Sequence, residues 1–410
     1  MRTYGSAPRE RHLLRDTNLH VIFGITLMAV LGVSTVTPVL PRIAYVFGNT
    51  PQTTGLLIAA FTLPGIFFTP VLGVLGDRVG RKKVLVPSLV LFAVAGTACG
   101  FARQFNLLLG LRFLQGIGAS SLGALNVTMV ADLFAGHDRS AAMGYNASVL
   151  SIGTGLYPAI GGSLALLGWY YPFFLPLLAL PVALAVLLAL DNPEPEAGGS
   201  LREYIAVTLK AVWQPQVLAL FASSVITFVL IYGSFLTYFP FLLTSSYAAS
   251  PAFIGLVMSL ASVATAITAF KVGTLSERFG SRILVKVGFA LYVVALAGIP
   301  FARSLWSLAL PILLFGVANG LNIPSIMTIL TGFAPSEYRA AFMALNGTLL
   351  RLGQTLGPVI VGVAVQAFGM SGSFVASSVL ALAMLLGLMM VLRTTLDASG
   401  SNGQAAAQVL

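Results

Sequence analysis

Charge is what this 410-residue chain lacks most: Asp, Glu, Lys and Arg make up 8% of it and 57% is apolar, where an ordinary soluble domain is about a quarter charged. Such a composition excludes a soluble globular protein. There is one cysteine, Cys99, inside an apolar run, so no intrachain disulfide stabilises the chain. Three histidines and one cysteine supply neither a catalytic cluster nor a metal-ligand set, so an enzyme is not expected and neither is a cofactor. No Gly-x-x-x-x-Gly-Lys-Ser/Thr occurs, which excludes a pump built on a phosphate-cradling loop. The net charge is +10, but the basic residues are scattered over helix ends instead of forming one patch, so nucleic acid is not expected as a partner.

What fills the chain is a succession of apolar runs. Twelve segments, near 19–46, 53–75, 83–102, 106–134, 141–167, 170–190, 216–245, 252–274, 283–302, 305–333, 341–367 and 371–393, approach or exceed the ~20 residues needed to cross a ~30 Å hydrocarbon core. In lipid the backbone must satisfy its own hydrogen bonds, and the runs lack the alternation of barrel strands, so they are predicted to be helices of an all-α integral membrane protein. The segment Met1–Asp16 is basic and polar, but the run after it is too long for a signal-peptide core and shows no small-residue cleavage site. It therefore stays as helix 1.

The basic residues set a topology. Of the 22 Lys and Arg, 16 fall on one side of the membrane if the chain starts in the cytoplasm: four before helix 1, then Arg78, Arg81, Lys82, Lys83, Arg139, Arg202, Lys210, Arg278, Arg282, Lys286, Arg339 and Arg393. Only Arg42, Arg103 and Arg303 fall on the other. The bias predicts both termini in the cytoplasm.

One stretch interrupts the pattern, 191-DNPEPEAGGSLREY-204, rich in proline, glycine and charge, and it reads as a linker. The predicted organisation is a cytoplasmic segment at 1–18, a six-helix bundle at 19–190, a cytoplasmic linker at 191–215, a second six-helix bundle at 216–393 and a cytoplasmic tail at 394–410. Sliding the chain by 200 residues superposes the two: Pro51 on Pro251, Gly55 on Gly255, Gly73 on Gly273, Arg78 on Arg278, Gly80 on Gly280, and Arg139, Met143, Asn146, Gly153, Pro158 and Gly162 on their counterparts from Arg339 to Gly362. Two like-oriented halves about an axis along the membrane normal can open a central cavity to one side at a time.

The loop 73-GVLGDRVGRKK-83, its weaker echo 273-GTLSERFGSRI-283, the stretch 112-RFLQGIGAS-120 in helix 4, and the spacing of Gly144, Gly153, Pro158, Gly161 and Gly162 in helix 5 resemble the major facilitator superfamily. Within it the similarity is to the drug:proton antiporter group, over nearly all of residues 19–393. Tyr157 stands where that group usually has glycine. The resemblance implies the major facilitator fold, twelve helices in two six-helix bundles related by a pseudo-twofold axis. It also implies proton-coupled, alternating-access export of small, largely hydrophobic compounds by a monomer in a bacterial plasma membrane, and a gating latch of Gly73, Gly76, Asp77, Arg78, Gly80, Arg81, Lys82 and Asp132. In such a latch Asp77 docks on the start of helix 11 and Arg81 pairs with Asp132, contacts that would close the cytoplasmic side in one state and break in the other. The plainer reading is a positive cluster that only sets topology.

Ionisable groups at membrane depth are few. Arg112 lies near the distal end of helix 4, in a motif with Gln115 and Gly116, and Arg351 lies roughly ten residues, ~15 Å, into helix 11. By resemblance Arg112 serves the proton or substrate step; alternatively it reaches headgroups or caps carbonyls. Arg351 is expected to face the interior. No carboxylate lies deep in helices 1, 7 or 10, so proton coupling has no visible carrier beyond Asp77 or Asp132. Interior arginines without interior acids also suit a second reading, a carrier for an anionic or neutral metabolite. The cavity is expected to be lined by Phe228, Tyr232, Phe235 and Tyr238 along one helical stripe, by Asn126, Asn319 and Asn322, and by Arg351. The alternative for the aromatic stripe is helix packing or lipid contact.

Overall fold

The computed structural model describes residues 13–191, 214–333 and 339–392. Residues 1–12, residues 192–213 of the expected linker and the tail from 393 on, with Arg202, Lys210 and Arg393, lie outside them, as do Glu337 and the side chain of Arg339. Among the described residues every regular element is helical. The helices are α1 (Thr17–Phe47), α2 (Pro51–Val79), α3 (Arg81–Phe101), α4 (Phe105–Leu133), α5 (Gly136–Leu164), α6 (Tyr171–Ala189), α7 (Pro215–Tyr247), α8 (Pro251–Phe279), α9 (Ser281–Phe301) and α10 (Leu305–Phe333). A final helix, Arg339–Val391, turns at Gly369, whose φ of 73° and ψ of 177° break the helical path and divide it into α11 (339–368) and α12 (370–391). Ten of the described spans, the final one undivided, are long and apolar enough to cross a membrane. The remaining helix, α5, carries the polar stretch Gly136–Arg139 at its start.

The 200-residue repeat is carried into the backbone. Thr50 and Ser250 cap α2 and α8, each accepting from the amide three residues on, with Pro51 and Pro251 in the first turn, where a missing N–H costs nothing. Gly80 and Gly280 join α2 to α3 and α8 to α9 with φ of 98° and 80°, a region open to glycine and strained for other residues. Gly116 lies where a methyl would fall 2.1 Å from the Phe61 carbonyl oxygen, and Gly316 repeats this against Ala261. Each half thus brings its fourth helix onto its second by removing a side chain.

The apolar core follows the same division. One buried cluster draws on residues 13–190 and takes only Tyr238, Phe241, Val361 and Val365 from beyond them; a second draws on residues 217–392, and a small third of Val272, Leu284 and Leu321 lies in the same half. α2, α3, α4 and α6 pack together in the first half, as α8, α9 and α10 do in the second. The halves meet along two seams, α5 on α8 and α2 on α11.

Candidate functional site

The seams close at one end only. The end with the α2–α3, α4–α5 and α8–α9 turns carries Arg78, Arg81, Lys82, Arg139, Arg278 and Arg282 and is called here the basic end. At the opposite, far end Gly162 and Gly255 bring α5 and α8 into backbone contact: methyls there would fall 2.2 Å from the Pro251 carbonyl oxygen and 2.1 Å from that of Pro158. In the α2–α11 seam the Tyr238 hydroxyl enters between Gly55 and Gly362 and donates to the Pro358 carbonyl at 3.0 Å. Towards the basic end Gly73, Gly144, Gly273 and Gly347 have nothing within 4 Å of where a side chain would begin. The space between the halves is therefore shut at the far end and open at the basic end.

The helix 5 glycines divide accordingly. Gly153 lies against Val30 and Leu27 of α1, Gly161 against the Thr35 carbonyl of α1 and Gly162 against α8, while Gly144 faces open space. Pro158 supplies the carbonyl that Gly255 approaches, and Tyr157 is buried beside them.

At the basic end Arg81, 11% exposed, reaches Asp132 at 2.7 Å and Asp77 at 3.1 Å, and the Asp77 side chain is 55% exposed. All three belong to the first half. The Arg81–Asp132 pair is formed while the basic ends stand apart, so it is not a contact that opening this side breaks. Gly76 packs on Leu125 of α4, whereas Gly73 faces the gap. Arg78 is exposed, and Lys82 reaches the Leu187 carbonyl near the end of α6 at 3.4 Å.

Deep in the first half Arg112 is fully buried. It donates to the Gly32 carbonyl and to Gln115 Oε1, both at 2.8 Å, and its guanidinium lies 4.3 Å from the Phe61 ring centre. These bonds are of the carbonyl-capping kind that the sequence leaves open beside a proton or substrate role. Asn126 donates to Thr26 Oγ1 and to the Ile22 carbonyl, while Asn146 donates to Asn126 Oδ1 and accepts from Thr26. These bonds join α1, α4 and α5 within one half, so Asn126 does not line the space between halves. In the second half Asn319 accepts from Tyr292, and Asn322 lies against Gly288 of α9. Both amides are buried in that half's core.

The four rings of α7 do not form one stripe. The helix widens to π-type over Leu230–Tyr238, and i→i+5 bonding advances the register so that rings spaced for an α-helix diverge. Phe228 and Tyr232 stack at 6.0 Å and stay partly exposed. Phe235 stacks on Phe239 and Phe315 in the second core, and Tyr238 turns into the α2–α11 seam.

The group that does stand between the halves is centred on Arg351. Its aliphatic stem lies against Gly65 of α2, its Nη2 near Gly123 of α4, and its Nη1 donates to Gln354 Oε1 at 3.0 Å. One turn towards the far end Thr355 donates across the seam to Thr62 at 3.0 Å. Sequence reasoning missed Thr62, Gly65, Gly123, Gln354 and Thr355. One signal was available: Arg112-x-x-Gln115 and Arg351-x-x-Gln354 share a spacing that puts the amide on the guanidinium, and both pairs are formed.

The description Major Facilitator Superfamily matches this chain over residues 22–247 and 238–409. The quinolone resistance protein NorA of Staphylococcus aureus is 24% identical over 85% of this chain and 89% of its own. Multidrug resistance protein 2 of Bacillus subtilis is 26% identical over 82% and 86%, and the bacillibactin exporter of that organism 25% identical over 84% and 88%. Among solved structures, a bacterial homologue of the human lysosomal transporter Spinster, in an inward-facing and occupied conformation, aligns with a TM-score of 0.79 at 16% identity, covering 96% of this chain and 99% of that one. A helical chain of two repeated halves, closed on each other at one end and matched by one family across both, is a transporter and not an enzyme: the protein belongs to the major facilitator superfamily.

Proposed function

We propose that the protein exports small, largely hydrophobic compounds across a bacterial plasma membrane by alternating access, working as a monomer with both termini in the cytoplasm. The observation that carries this reading is the asymmetry of the seams, shut at the far end and open at the basic end. It is the arrangement of a carrier ready to take a compound from the basic end, the side that the distribution of Lys and Arg assigns to the cytoplasm. The relatives named for drug resistance and export support the substrate class. In the opposite state the basic ends come together, Gly73 admits α11 and Asp77 accepts from the free amides at its start. Proton coupling falls to Asp77 or Asp132, because the described acids, Asp16, Asp77, Asp132, Asp138, Asp191 and Glu277, all lie at the basic end.

Reconstitution of the full chain in liposomes with an imposed pH gradient, against a panel of cationic, neutral and anionic dyes, tests this. Saturable dye movement that follows the gradient is expected. Dye movement indifferent to the gradient removes proton coupling, and no movement of any dye removes the export reading.

A further inference from the structure

We propose that Arg351 is the recognition centre for a negatively charged group, and that the compounds carried present a carboxylate or comparable monoanion beside an aromatic body. The proposal rests on the export reading for its direction and supplies the substrate chemistry that reading leaves open.

Position is the first argument. α2 and α11 run antiparallel and touch at Thr62 with Thr355, then at Gly65 with Arg351. Beyond these, Gly73 and Gly347 face empty space. Arg351 thus sits at the inner limit of the opening, where a compound entering between the halves must stop.

The guanidinium is also available, unlike the other arginine at depth. Arg112 has its charge spread over two backbone carbonyls, an amide and a ring, and no exposed surface. Arg351 keeps part of its surface, and among the described residues no carboxylate pairs with it. Its neighbours across the seam are glycines, Gly65 against the stem and Gly123 beside Nη2, and their missing side chains are what admit the guanidinium between the halves. Gln354 holds Nη1 and fixes the plane of the fork, leaving donors matched to a planar anion.

The surroundings complete the chemistry. Phe228 and Tyr232 are stacked and partly exposed on α7, and Gly353 of α11, two residues from Arg351, lies against Phe228. An unpaired positive charge becomes costly once both ends close and water leaves the site. A bound anion removes that cost, whereas a cation increases it. The charge therefore favours anion-loaded passage through the closed intermediate.

The test uses two probes with one aromatic body and opposite charge, 2-naphthoate and 2-naphthylmethylammonium, titrated calorimetrically into the purified full chain in nanodiscs, with empty nanodiscs subtracted. Wild type is expected to bind naphthoate more tightly than the ammonium. Arg351→Gln should weaken naphthoate by about tenfold or more and leave the ammonium unchanged or tighter. Arg351→Lys, which keeps the charge and loses the fork, should fall between, and it serves if the glutamine variant does not fold. Equal naphthoate affinity in wild type and the folded variants, or an ammonium preference in wild type, overturns the proposal. Dye movement in the same preparation, reconstituted, separates the two readings. Movement of dyes without naphthoate binding removes the anion site and leaves export; naphthoate binding without movement of any compound removes export and leaves the site.

Discussion

The two seams are copies of each other in sequence and differ in how they close. In the α5–α8 seam backbone meets backbone, Gly162 on the Pro251 carbonyl and Gly255 on that of Pro158. The α2–α11 seam has the equivalent glycines, Gly55 and Gly362, but a tyrosine from α7 stands between them and bonds the Pro358 carbonyl. A direct backbone contact has one geometry and tolerates no added atom. A contact through a phenol can be made and broken by one bond and one ring movement. The difference assigns the first seam the role of pivot and the second that of releasable closure, and each assignment can be broken.

The largest effect is expected at the pivot. Gly162→Val places a branched side chain against the Pro251 carbonyl, costing the far-end-closed state about 1–3 kcal/mol. Dye transport per inserted molecule should fall by one to two orders of magnitude. Wild-type transport would show that the backbone contact is dispensable. Next comes the basic end of the other seam, where Asp77→Asn should lower turnover by about tenfold, the scale of a charge-assisted hydrogen bond. Its repeat-related Glu277→Gln should stay within about twofold, since its loop is the weaker echo; equal losses in both would mean that the seams share one latch mechanism.

A smaller shift is expected from Tyr238→Phe, which removes one hydroxyl–carbonyl bond worth about 1 kcal/mol. Labelling of a cysteine placed at the basic end should fall a few-fold as the population leaves the far-end-closed state. Unchanged labelling would make the hydroxyl an incidental filler. An effect as small as that of Glu277→Gln is expected from Thr355→Val, because Thr62 keeps its bond to the Ile58 carbonyl. Transport within about twofold of wild type is expected, and a large loss would place the closure at Thr62–Thr355 instead of Tyr238.

Some of this was legible in the sequence and some could not be. The register of 200 was, because several of the residues that keep it, Pro51, Gly55, Gly80 and Gly162 with their counterparts, are points where helices start, touch or turn. Placement of the polar side chains was harder. In lipid Asn126 needs partners, but only the fold shows that Thr26 and Asn146 supply them inside one half. Asn319 likewise turns to Tyr292, and Asn322 is buried against Gly288 of α9, away from the central space. The same rule that makes a polar group in a membrane conspicuous leaves open whether a neighbouring helix or a cargo answers it. The aromatic stripe failed for a different reason, since equal spacing maps to one face only while the helical repeat is constant, and α7 is not constant.

That irregularity ties the two ends of α7 together. The wide turn over Leu230–Tyr238 accommodates a surplus residue between the ring pair beside Arg351 and the phenol in the far-end slot. Were the turn to tighten to the ordinary pitch, everything beyond it would screw round by roughly 100°, and Tyr238 would be withdrawn from between its glycines. A cargo that presses on Phe228 and Tyr232 would thus act on a spindle whose other end carries the bolt.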